Sequence, residues 1–81
     1  MTKQEITDKI IEIIFKNFKI EKEEISLEST FQSLGVDSLD VVEFIFDIEI
    51  EFKLIIPDNV LLEFVTVASV VDYVDKLKNK E

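Results

Sequence analysis

Eighty-one residues suffice for one small domain with a thin core, and a 47% apolar composition that includes seven Phe separates the chain from disordered sequences. Eighteen Asp and Glu against nine Lys, with no Arg, leave a formal charge of −9, which repels nucleic acid and anionic membrane surfaces. Neither His nor Cys is present, so Ser-His and Cys-His nucleophile pairs, disulfides and the usual zinc ligand sets are excluded.

The elements follow in chain order. Thr2 with Glu5 has the form of a capping box, and Ile6, Ile10, Ile13, Ile14 and Phe18 recur at helical spacing, which predicts an amphipathic helix over 3–18. From Lys19 to Val36 the spacing of Ile20, Ile25, Leu27, Phe31 and Leu34 is irregular; this reads as a long loop pinned to the core by those side chains. Segment 38–56 is locally ambiguous. Ile48 to Leu54 alternates like a half-buried strand, but at about 100° per residue Val41, Ile45, Ile48 and Phe52 share one sector, with Val42 and Phe44 at its flanks and Glu49 intruding. No other segment alternates so cleanly, so a strand would lack a partner, and the helix is preferred. Pro57 is expected to end it. Asp58 or Asn59 then caps a short helix over about 59–64, and Thr66 caps a last helix whose face is Val67, Val70, Val71, Val74 and Leu77. Lys76, Lys78 and Lys80 suit the negative end of its dipole. The expectation is an all-α fold for a single domain over 1–81: a four-helix bundle of three longer helices and one short helix before the last, with a long loop between the first and second.

No apolar run nears the roughly 18 residues of a membrane span, and Met1 to Glu5 begins no apolar signal core, so neither membrane insertion nor export is expected. Absent thiols agree with the cytoplasm.

The charge is uneven. Thirteen acids and one base, Lys53, lie between Glu23 and Asp75. Asp40, Glu43, Asp47 and Glu51 form one stripe of the second helix, where like charges at this spacing cost a few tenths of a kcal/mol per pair. One reading is a solvated face; the other is a docking surface for basic patches, favoured by Leu39, Phe46 and Ile50 on a neighbouring strip. No calcium loop of the D-x-[DN]-x-[DN]-G type accompanies these acids.

Ser38 follows the only glycine in Leu34-Gly35-Val36-Asp37-Ser38-Leu39-Asp40, where the second helix begins. A Ser there is most often an N-cap. The position also suits a covalently attached phosphate, which the unpaired N–H groups and positive end of the helix dipole would accept, and Gly35 can make the turn into the helix.

At these residues the chain resembles the acyl carrier proteins of the free-standing, fatty-acid type. The Asp37-Ser38-Leu39 motif carries the likeness, which continues through Val42-Glu43, Glu49-Ile50-Glu51-Phe52, Ile56-Pro57-Asp58 and Thr66-Val67. The resemblance implies that a phosphopantetheinyl transferase attaches 4′-phosphopantetheine from coenzyme A to Ser38, supplying the thiol this chain lacks. It implies a carrier of growing acyl chains and not an enzyme, shuttling between fatty-acid synthesis enzymes and acyltransferases with basic docking patches. Asp37, Leu39, Asp40, Glu43, Phe46 and Asp47 would form the docking face of a monomer. The acyl chain would shelter between the second and third helices among Val42, Ile45, Phe46, Ile56, Leu61, Leu62 and Val67. Ile50 and Ile55 stand where Glu is common in the family, Lys53 in an often acidic place, and Phe46 where Met or another aliphatic is usual. Carriage of another cargo (polyketide, peptidyl or D-alanyl) and an unmodified acidic helical adaptor are the alternatives.

Overall fold

Thr2 begins the chain's order: its Oγ1 accepts the Glu5 N–H at 3.1 Å while its own N–H donates to Glu5 Oε1 at 2.8 Å. That donated bond holds the Glu5 carboxyl below the usual carboxylate range, so this cap weakens as pH falls through the lowered value. In the computed structural model, which describes residues 1–79, the box starts α1 (Lys3–Phe18). Two further helices follow, α2 (Ser38–Phe52) and α3 (Val67–Lys78). Short 3₁₀ turns lie at Lys22–Glu24 in the long loop and at Asp58–Glu63 before α3. This is the expected all-α arrangement of three longer helices and a short one. Lys80 lies outside the described residues.

The second element is a helix, not the strand its local alternation allows. Helical spacing over the longer window buries Phe44, Ile45, Ile48 and Phe52, whereas an extended chain would find no partner strand. The buried sector is turned toward Phe44, which the spacing had put at its flank. Phe44 is fully buried, with its ring 5.5 Å from Phe31 and 6.2 Å from Phe18, while Val41 is only half-buried. The long loop and α1 each deliver an aromatic ring to that side of α2, and tilted ring pairs at these distances are favourable. Ile6, Ile10 and Ile14 of α1 and Val67, Val70, Val71 and Val74 of α3 complete the core. α1 packs closely against both partners; the backbones of α2 and α3 approach each other less.

α2 ends before Pro57. Lys53 takes a left-handed conformation (φ 56°) and donates its N–H to the Glu49 carbonyl, and Leu54 donates to the same oxygen at 3.2 Å. Glu49 also explains its own intrusion toward the apolar side, because its carboxylate accepts the Ile56 N–H at 2.8 Å and draws the following segment back against the helix. The last turn of α2 contains no base; Lys78 of α3 reaches across and donates to the Phe52 carbonyl at 3.0 Å.

The short element differs in kind from the expectation. Asp58–Glu63 is a 3₁₀ helix that follows Pro57, and neither Asp58 nor Asn59 caps it. Three residues per turn send consecutive side chains in three directions, so of Val60, Leu61 and Leu62 the first two are half-buried and Leu62 is 90% exposed.

Replacing Glu49 with Ala removes a charged acceptor from the partly buried Ile56 N–H. Denaturant unfolding should show a loss of about 1–3 kcal/mol, and Glu49→Gln, which keeps an acceptor, should recover most of it.

Candidate prosthetic-group attachment site

The approach to α2 is built on the start of α3. Ala68 and Val67 donate their N–H groups to the Leu27 and Ser29 carbonyls at 2.9 and 3.0 Å, and Phe31 donates to Val65 at 3.0 Å. Around this tie Thr30 pairs with Thr66 as an isolated bridge. Ile25 and Phe31 are buried and Ile20 and Leu34 half-buried, so they pin the loop as expected, whereas Leu27 is exposed and contributes its carbonyl instead. Bonds from Leu34 to Thr30, Gly35 to Gln32 and Val36 to Phe31 then wind the chain into a corner. Gly35 turns it with φ +80°, and a β-carbon there would meet nothing within 4 Å, so the backbone conformation and not space requires glycine. Val36 is buried and anchors the exit.

Asp37, not Ser38, is the N-cap. Its backbone is extended, and its Oδ1 accepts the Asp40 N–H at 3.0 Å. Ser38 is thereby the first helical residue, exposed, with no hydrogen bond to its hydroxyl among the described residues. The first intrahelical bond runs from Val41 to the Asp37 carbonyl, which leaves the Ser38 and Leu39 N–H groups without acceptors among the described residues. At α3 the equivalent groups of Val67 and Ala68 are consumed by the loop, and the third is bound by Thr66 Oγ1, as expected of that cap. The start of α2 thus presents a hydroxyl, two open amides and the positive end of a helix dipole together, which fits a phosphodiester on Ser38 Oγ.

Beyond Ser38 the surface divides. Asp37, Leu39, Glu43 and Phe46 are exposed and Asp40 half-exposed. Asp47 is engaged by α1, accepting from Asn17 Nδ2 at 2.6 Å, and Glu51 pairs with Lys9 at 2.9 Å. Glu51 therefore finds a base on α1 and Asp47 a neutral amide, while Asp40 and Glu43 make no ion pair among the described residues; spacing along the chain could not reveal partners thirty or more positions away. Of the acyl-shelter residues, Ile45, Ile56 and Val67 are buried and Val42 and Leu61 half-buried. Phe46, 56% exposed, and Leu62 line no interior surface and are corrected on that point: one lies on the outer row of α2, the other on the outer side of the 3₁₀ turn. The spacing also missed Phe64, which is buried and packs edge-on against Tyr73 at 5.4 Å. Among the described residues no helix is long and apolar enough to cross a membrane.

The family model of the phosphopantetheine attachment site matches residues 8–74. Acyl carrier proteins of Chlorobium phaeovibrioides and Clostridium perfringens are each 43% identical to the chain, over 94% and 90% of it and 99% and 97% of their own lengths. The acyl carrier protein of Porphyromonas gingivalis is 37% identical over 89% of the chain and 94% of itself. The chain belongs to the acyl carrier protein family. The prosthetic group of an acyl carrier protein is 4′-phosphopantetheine, and the hydroxyl, amides and corner at the start of α2 are the features of this family member that suit it.

Because Asp37 and not Ser38 caps α2, Asp37→Ala should cost about 1 kcal/mol in thermal or denaturant unfolding, while Ser38→Ala should stay within about 0.5 kcal/mol of the parent. Equal losses in both variants would contradict the division of roles.

Proposed function

We propose that Ser38 Oγ carries the 4′-phosphopantetheine group and that the chain, acting as one carrier domain, moves growing acyl chains between the enzymes of fatty acid synthesis. The observation that carries this reading is the exposed, unbonded Ser38 hydroxyl beside two amides without acceptors, in a member of this family. A phosphopantetheinyl transferase would catalyse the attachment, in which Ser38 Oγ displaces the adenosine bisphosphate half of coenzyme A at phosphorus and its proton is lost to the transferase. When bound, the group supplies a terminal thiol for thioester linkage, the nucleophile that a chain without Cys cannot offer.

The chain's own residues position and present that group. The Ser38 and Leu39 N–H groups, which have no acceptor among the described residues, would hold the phosphate, while Asp37 holds the first turn and Gly35 sets the direction from which the loop arrives. Asp37, Asp40 and Glu43, with Leu39 and Phe46 beside them, form the face toward basic patches on the transferase, the synthesis enzymes and acyltransferases; Asp47 stands at its edge, shared with Asn17. Ile45, Ile56 and Val67, with Val42 and Leu61, line the interior toward which an acyl chain would part α2 from α3, the pair of helices whose backbones approach less closely. Each methylene so buried gains about 0.8 kcal/mol, against a total domain stability of about 5–15 kcal/mol, which makes such shelter reversible. The chain works in this reading as a monomeric cytoplasmic carrier whose chemistry is done by its partners, the thiol coming from the prosthetic group while the chain offers neither His nor Cys.

Incubation with coenzyme A and a phosphopantetheinyl transferase should add one phosphopantetheine to the intact mass of the parent and none to Ser38→Ala; addition to both would remove Ser38 from the role. Docking through exposed acids is screened beyond about 8 Å at physiological ionic strength. Raising salt from low to high should therefore raise the KM of the transferase for this chain, and a salt-independent KM would exclude the acidic face as the recognition surface.

A further inference from the structure

The three helices are not joined alike. α1 is bonded to α2 twice, by Lys9 to Glu51 and Asn17 to Asp47, and to α3 by Lys3 to Asp72 at 2.8 Å. The start of α3 is bonded to the long loop through Val67 and Ala68. The seam between α2 and α3 differs. Among the described residues one hydrogen bond crosses it, from Lys78 Nζ to the Phe52 carbonyl at 3.0 Å, and no ion pair does. Apolar side chains of the shared core close the rest. The bond stands at the far end of the seam, about 21 Å along α2 from Ser38 at 1.5 Å per residue.

This bond is the one that parting the seam must break. Glu49 accepts the Ile56 N–H, so the segment leaving α2 is bound to α2 itself and travels with it. The Phe52 carbonyl belongs to the last turn, where no intrahelical donor remains, and α2 has no base of its own there. When α2 and α3 part, that carbonyl loses its Lys78 partner. The apolar contacts of the seam are replaced by contacts with the inserted acyl chain, but an alkyl chain offers nothing in exchange for the hydrogen bond.

We infer that Lys78 latches the α2–α3 seam, so that its bond to Phe52 sets how much of the time a carried acyl chain is sheltered and how much it is presented to a partner enzyme. The inference rests on the carrier reading above and names a residue that regulates its shelter. Sheltered and presented forms are two states of the loaded chain, and a bond made only in the presented form shifts the balance by its net worth. Lys78 is exposed and water competes for it, so the shift is about fivefold: enough to tune release without locking the seam.

The experiment loads the full chain from octanoyl- or acetyl-coenzyme A and measures cleavage of each thioester by hydroxylamine. The acetyl form is too short to reach the interior, so the ratio of acetyl to octanoyl rates reads shelter and cancels direct effects on the chemistry. Lys78→Met should raise that ratio about fivefold, and Lys78→Arg, which keeps a cationic donor, should behave as the parent. Thr2→Ala, which removes the α1 cap away from the seam, should lower thermal stability and leave the ratio unmoved. An unchanged ratio in Lys78→Met, or an equal rise in Thr2→Ala, overturns the latch and leaves the carrier reading standing. Equal cleavage of both forms of the parent removes the shelter and the latch with it, but not the attachment at Ser38. Failure of the parent to be loaded overturns both.

Discussion

The hydrogen bond from the Asp40 N–H to the Asp37 carboxylate is the constraint from which the chemistry of this protein follows. A helix must satisfy its first amides somehow, and serine is as good a cap as aspartate. Had Ser38 occupied the capping position, its hydroxyl would be spent on the helix and unavailable for the attachment proposed above. With Asp37 one residue earlier doing that work, Ser38 moves onto the helix proper, its oxygen turns outward, and two amides remain open beside it. The corner at Gly35 and the ties of the loop onto α3 matter because they hold Asp37 in the extended conformation a cap requires.

The three helices contribute unequally to this arrangement. α1 is the scaffold, packed against both neighbours and supplying Lys9 and Asn17 to acids of α2. α3 is the anchor: its first amides bind the loop, and its last turn sends Lys78 to the end of α2. α2 is thereby held along α1 and, at its end, by Lys78 of α3, while keeping its outer row and its start open. These are the parts a carrier must show to other proteins. The surface charge follows the same logic, compensated where α2 meets α1 and uncompensated near Ser38.

Much of this was legible from residue spacing. The capping box at Thr2 and Glu5, the helix that ends at Phe18, the cap at Thr66, the role of Gly35 and the placement of Ser38 at a helix start are local features, decided by residues within a turn or two of one another. Local reasoning failed where two answers were locally equivalent or where the deciding partner was distant. Spacing could not choose between Asp37 and Ser38 as the cap, since both residue types serve. It put Phe44 at the flank of the core because Phe18 and Phe31 reach that side only after folding. It ended α2 at Pro57 because the left-handed turn at Lys53, a residue with no special preference for that conformation, has no local signature.

Helical periodicity, the one glycine, the acidic excess and the absence of His and Cys belong to the chain itself, and with them the fold class, the carrier motif and the exclusion of Ser-His and Cys-His pairs. They are properties of single residues and near neighbours, which folding does not alter. Which acids stay unpaired, which apolar residues line the interior, how α2 ends and which side chain caps it were decided only in three dimensions. Each depends on a partner far along the chain, such as Lys9 for Glu51, Asn17 for Asp47 and Lys78 for the end of α2, or on which way a short 3₁₀ turn points Leu62. Hydrogen bonding and burial are contests among all the groups that folding brings together, and spacing along the chain ranks only the adjacent ones.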